Sequence, residues 1–157
     1  MAYLIIDEWL WEDLAHAKGS VKGRQAFEFL QAIFQKCDNI VVVQPSKFLQ
    51  KAFDLFSRPD LEAKFLASYF VPYFLQNSKK VRLVDTSELP NLPQQFETTV
   101  KDDDHYLVQA YVLVNAELLI TTDSPLKDAL IAGGLKCEWR DSYLPIYIRK
   151  YLHEGGP

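Results

Sequence analysis

The run Ile40-Val-Val-Val43 constrains this chain more than any other feature. Consecutive β-branched residues with no polar alternation make a strand that must be covered on both faces, and such strands lie inside parallel sheets flanked by helices. The rest of the chain supplies the partners. Residues 3–6, 81–84 and 118–121 read as further short buried strands, and residues 135–139 as a fifth, edge-like one. Between them lie segments of helical period: 24–37, 46–56, 61–76, 103–115 and 125–132. Gly133-Gly134 stops the last of these, Arg58-Pro59-Asp60 separates the second from the third, and Pro72 is expected to kink or split the third. Residues 85–101, with Pro90 and Pro93, read mainly as loop, and the amphipathic stretch 143–152 as a closing turn or helix. Strands alternating with helices predict an α/β fold: a single domain, a three-layer α/β/α sandwich around a mostly parallel sheet of four to five strands.

A chain of 157 residues suits one domain, and its hydrophobic fraction of 48% is enough for a core. No apolar run approaches the roughly 18 residues needed to span a bilayer. The N-terminal run has no basic region before it and meets acid at Asp7, so it reads as a strand and not as a leader. Cys37 and Cys137 lack metal spacing, which favours a reduced, cytoplasmic setting. The net charge of −4 argues against a generic nucleic-acid coat, but the charge is uneven. Through Arg82 there are 11 basic and 9 acidic residues; beyond it there are 6 basic and 12 acidic.

In parallel α/β sheets ligands gather outside the carboxyl ends of the strands. Asp7 follows the first strand, Thr121-Thr122-Asp123 ends the fourth, and Asp102-Asp103-Asp104 opens the helix that leads into it. One aspartate suffices to cap a helix. Several carboxylates at one sheet edge repel each other unless a cation sits among them, and no lysine or arginine is placed by local sequence to neutralise them all. All-oxygen donors suit Mg²⁺ or Mn²⁺, ions that support in-line cleavage of a phosphodiester. Asp7, Asp103, Asp104 and Asp123 are therefore the candidate metal-binding and catalytic residues.

The segment from Lys101 to Asp123, KDDDHYLVQAYVLVNAELLITTD, resembles the PIN-domain pattern: acid at a helix start, alanine about two turns on, and a following strand that ends in a hydroxyl residue and an aspartate. The doubled acid followed by an aromatic residue is also similar to the metallonuclease domain of protein-only RNase P. The resemblance implies a Mg²⁺- or Mn²⁺-dependent endoribonuclease, of VapC-type toxin or tRNA-processing kind. It maps the metal ligands onto Asp7, Asp103, Asp104 and Asp123, with Thr121 or Thr122 steadying the last. It further implies RNA as substrate, tRNA included, an antitoxin partner for a toxin, and a homodimer. The chain departs from the pattern at Gln50, where PIN toxins carry a glutamate; Asp54 or Asp104 would have to supply the missing carboxylate. The alternative is a non-catalytic PIN-like module that binds RNA or a protein.

Other features carry less. His105, beside the aspartates, is a proton-transfer candidate, although lone histidines at helix starts are more often surface residues. Lys18, Lys22, Arg24, Lys47 and Lys51 are the basic residues best suited to phosphate, against a background of solvated surface charge. Tyr69, Phe70, Tyr73 and Phe74 form either a base-stacking platform or, more commonly, core or subunit interface. No glycine-rich phosphate loop occurs, and the acidic pattern fits neither a receiver domain nor a haloacid-dehalogenase phosphatase.

Overall fold

The computed structural model describes residues 1–15, 18–58 and 61–154. Five strands, β1 (Tyr3–Ile6), β2 (Asn39–Gln44), β3 (Val81–Asp85), β4 (Leu118–Thr121) and β5 (Cys137–Trp139), form one sheet in the order β3-β2-β1-β4-β5. Every pairing is parallel, so the sheet expected to be mostly parallel is wholly so.

Alternation along the strands divides the core in two. Leu4, Ile6, Ile40, Val42, Leu118 and Ile120 point to one face, where they meet α1 (Trp9–Leu14), α2 (Ser20–Lys36), α3 (Lys47–Asp54) and α7 (Arg140–Ile148). Ile5, Val41, Val43 and Leu119 point to the other, beneath α5 (His105–Val114) and α6 (Ser124–Ala132). Phe96 and Val100, from the proline-bearing connection, complete that second core. This is the three-layer sandwich that the Ile40–Val43 run demands. The remaining helix, α4 (Leu61–Phe70), continues into a wider π-type turn at Val71–Leu75. The change of period falls beside Pro72, which has no amide hydrogen to continue the helical ladder. Pro59 and Asp60, read as the break before it, lie outside the described residues.

The fold departs from the sequence expectation at four helix starts. Helix α2 begins at Ser20, four residues ahead of the expected start, because residues 20–23 add no run of large apolar side chains to its period. Helix α1 carries no signal in the sequence, because six residues are too short to display a helical period. The expected helix 103–115 begins instead with a tight 3₁₀ turn at Asp102–Asp104, and regular helix starts only at His105. Helix α7 starts at Arg140, earlier than the amphipathic stretch 143–152 indicates.

Two buried polar clusters tie the helical layer to the sheet. The Asp38 carboxylate, wholly buried, accepts the Ala2 amide at 2.9 Å and the Tyr147 hydroxyl at 2.8 Å and pairs with Lys36 at 2.9 Å. Arg140 donates twice from Nη1 to Asp13, at 2.8 and 3.1 Å, and its guanidinium lies 5.7 Å from the centre of the Trp9 ring. The Trp9 indole in turn donates to the Ile120 carbonyl at 2.9 Å, fixing α1 against β4.

Candidate metal centre

The strand order runs outward from β1 through β2 to β3, then returns to place β4 on the other side of β1. At such a reversal the connections leave in opposite directions and open a crevice at the carboxyl ends of the strands. Asp7 stands at that point. Its amide still bonds the Ile120 carbonyl at 3.3 Å, so it extends the β1–β4 ladder by one residue and its side chain is held by the sheet. One carboxylate oxygen accepts the Glu8 amide at 2.7 Å and the other accepts the Thr121 hydroxyl at 3.0 Å. The Thr121 oxygen also accepts the amide of Asp123 at 3.0 Å, coupling the ends of the two strands through one side chain.

Asp7, Glu8 and Asp104 each offer a carboxylate oxygen, and these oxygens all lie within 4.8 Å of one another. Glu8 is not among the residues singled out from the sequence. It follows directly on the strand-end aspartate, and the start of α1 turns it back over the same crevice. Asp104 arrives from the opposite layer, on the 3₁₀ turn before α5. Of the acidic run it alone is buried; Asp102 and Asp103 are exposed, because a tight turn of this pitch directs successive side chains away from each other. Asp103, grouped with Asp104 from the sequence, thus stands outside the carboxylate cluster. Asp123 caps α6, accepting the Leu126 amide at 3.1 Å, and lines a narrow crevice with Asp104.

The cluster also contains one basic residue, brought in from a distant part of the sequence. Lys47, the first residue of α3 after its Ser46 cap, reaches across from β2's side of the sheet. Its Nζ lies 3.2 Å from Glu8 and 3.5 Å from Asp104. One ammonium among three carboxylates leaves the site negative. Burial pushes Asp7 up to about 7, reinforced by its hydrogen bond with the Glu8 side chain. Burial likewise raises Asp104, against the pull of Lys47. Glu8 is also pushed up by burial, but bonding to Asp7 and Lys47 outweighs this and holds it below its ordinary value. The Tyr106 hydroxyl, buried and with no hydrogen bond among the described residues, is raised by burial and by the charges of Glu8 and Asp7. Its position in the sequence, two residues after Asp104, is the available signal.

This donor set fits a hard divalent cation. Ligand oxygens on one octahedral Mg²⁺ ion are separated by at most about 4.2 Å, twice the usual bond of about 2.1 Å, so a set spanning 4.8 Å closes by small side-chain rotations. Imidazole and thiolate, which would draw softer metals, do not belong to the cluster.

The supporting residues divide. Thr121 is integral to the site, whereas Thr122 is exposed. Gln50 and Asp54 bond each other at 3.1 Å on the exposed side of α3, and neither belongs to the cluster. The His105 ring bonds the Val100 carbonyl at 2.8 Å through Nε2, which ties down the turn. Among the basic candidates, Lys22 pairs with Asp141 and Lys51 with Glu12, each at 2.8 Å, while Lys18 and Arg24 are exposed. In the aromatic group, Phe74 is buried, Tyr69 and Tyr73 are exposed and stacked with ring centres 5.0 Å apart, and the Phe70 side chain lies outside the described ones.

No helix among the described residues is long and apolar enough to cross a membrane, and both cysteines are free. Comparison of the chain with models of protein families, with curated proteins and with solved structures finds no match.

Proposed function

We propose that this protein is a Mg²⁺- or Mn²⁺-dependent endoribonuclease of PIN-like type, acting on RNA phosphodiester bonds in a reducing, cytoplasmic setting. The observation that carries the reading is the convergence of Asp7, Glu8 and Asp104 at the reversal point of a parallel sheet, where one lysine pairs with Glu8 and Asp104 and, among the described residues, leaves Asp7 without a cation. Asp7, Glu8 and Asp104 would hold the ion, with Asp123 beside Asp104 on the outer side. When bound, the cation supplies Lewis acidity, polarising the phosphodiester and acidifying water. Thr121 keeps Asp7 oriented by donating to its Oδ2. Lys47 is the cation nearest the incoming phosphate once the carboxylates have another counter-charge. Asp7 must give up its proton to ligate, so binding strengthens as the pH rises through about 7.

Calorimetric titration with Mn²⁺ and cleavage of a mixed RNA pool test the reading together. Wild-type protein should bind Mn²⁺ and cut RNA; Asp7→Asn and Asp104→Asn should fold and do neither. Undiminished cleavage by both variants would remove the mechanism. RNA over DNA, an antitoxin partner and a homodimer are parts of the proposal that rest on resemblance alone.

A second reading, a non-catalytic module that binds RNA or a protein, is favoured by one observation. The Lys47 ammonium already bridges Glu8 and Asp104, and Gln50 supplies no further carboxylate. In that case Mn²⁺ should not bind.

A further inference from the structure

Next to the carboxylate cluster, the end of β2 and the outer side of α3 enclose a cleft of about 270 Å³ lined by Gln44, Pro45, Ser46, Leu49, Gln50 and Phe53. From the geometry we infer that this cleft is a subsite for one unpaired nucleobase of a single-stranded RNA whose backbone crosses the carboxylate cluster; the inference rests on the nuclease reading of that cluster. Cavities of about 150 Å³ accept benzene, so the cleft has room for a larger heteroaromatic ring system.

Its chemistry matches a base. Phe53 lies on α3 away from the buried Phe48 and Ala52 and keeps 49% of its surface exposed, an aromatic face available for stacking. Two amides border it. Gln50 donates to Asp54 through Nε2, which leaves its carbonyl oxygen as an acceptor, and Gln44 is exposed at the strand end. Glutamine amides read base edges because they carry donor and acceptor together. Among the described residues, no charged side chain lines the cleft.

Its placement matches a substrate strand. Lys47, which touches Glu8 and Asp104, sits on the same helix as Gln50 and Phe53. At a rise of about 1.5 Å per residue these lie roughly 4.5 and 9 Å further along the axis, the scale of one or two nucleotides of chain. A duplex cannot enter such a cleft without surrendering a paired base, so the site selects unpaired segments.

The test is fluorescence anisotropy of labelled homopolymeric oligoribonucleotides (adenylate, uridylate and cytidylate) and of a mixed-sequence RNA duplex. It is run in an Asp7→Asn background so that the RNA stays intact. Adding Phe53→Ala should weaken single-strand binding about tenfold, the scale of one lost stacking contact, and leave duplex binding unchanged. Phe53→Leu, which retains apolar bulk without a π face, should behave like Phe53→Ala. Calorimetry of Phe53→Ala in the otherwise wild-type chain should give unaltered Mn²⁺ affinity. Single-strand binding that is absent at the outset, untouched by Phe53→Ala, or weakened equally for duplex overturns the subsite. The nuclease reading fails separately: single strands then bind in a Phe53-dependent way, but wild-type protein with Mn²⁺ leaves them uncut.

Discussion

If the carboxylates at the end of β1 are arranged for a cation, the metal-free protein should be more stable without the charge on Asp7. An ordinary aspartate titrates at 3.8, whereas Asp7 in the folded chain is raised to about 7. Between those values the folded state holds a proton that the unfolded chain has released. Stability therefore falls as the pH climbs from about 4 through about 7 and is lowest above it. A difference of about 3 pK units at 1.36 kcal/mol each sets a ceiling of about 4 kcal/mol. Because Asp7 and Glu8 share the burden of one another's charge, we take half of this, about 2 kcal/mol, as the working figure. Asp7→Asn keeps the side chain's shape and removes the titration. Urea unfolding in EDTA should show wild type losing about 2 kcal/mol more than the variant between about pH 4 and about pH 8. At pH 8 the variant should melt about 4–8 °C higher. With Mn²⁺ at a hundred times its dissociation constant, wild type alone should gain about 2.7 kcal/mol. Parallel pH profiles for the two proteins would refute the reasoning, as would equal stabilisation of both by Mn²⁺.

Other substitutions probe the remaining parts. In RNA cleavage assays Asp104→Asn should cost about a hundredfold or more, whereas Asp103→Asn, at an exposed position outside the cluster, should stay within about threefold of wild type. Lys47→Met should tighten Mn²⁺ binding by about two- to fivefold in calorimetry, the scale of a half-exposed ion pair that the metal no longer displaces. Arg140→Met should destabilise by about 3–5 kcal/mol in denaturant unfolding, since it leaves the buried Asp13 carboxylate without its partner. A Cβ on Gly133 would collide with the buried Phe96 ring, so Gly133→Ala should cost about 1–3 kcal/mol by the same measurement.

Much of the architecture is legible because strands buried on both faces leave a local mark: Ile40–Val43 and residues 118–121 carry it, and the order of elements comes from the segments between. Asp7 and Asp123 stand out for the same reason, as polar residues just beyond a buried strand. The direction in which neighbouring side chains point leaves no such mark. Asp103 and Asp104 are equivalent in composition, and only the pitch of the 3₁₀ turn buries one and exposes the other. Glu8 is hidden because its role depends on α1, a helix too short for periodicity to reveal. Lys47 is named from the sequence as a basic candidate, but its pairing with the carboxylates is hidden because its partners lie 39 and 57 residues away in sequence. Such a contact arises from the sheet order and has no local signal. Gln50 occupies the helix expected to supply a ligand, yet it faces the neighbouring cleft.

The hydrogen bond from Thr121 to Asp7 joins residues 114 positions apart. During vectorial synthesis the first strand leaves the ribosome before either of its neighbours; β2 follows soon, but the edge that β4 will cover stays open until most of the chain has emerged. A parallel pairing of such long range forms slowly, and an unpaired edge invites intermolecular association. The carboxylates would then come together only in the last steps of maturation, so a nascent chain would lack the assembled cluster and its affinity for a cation.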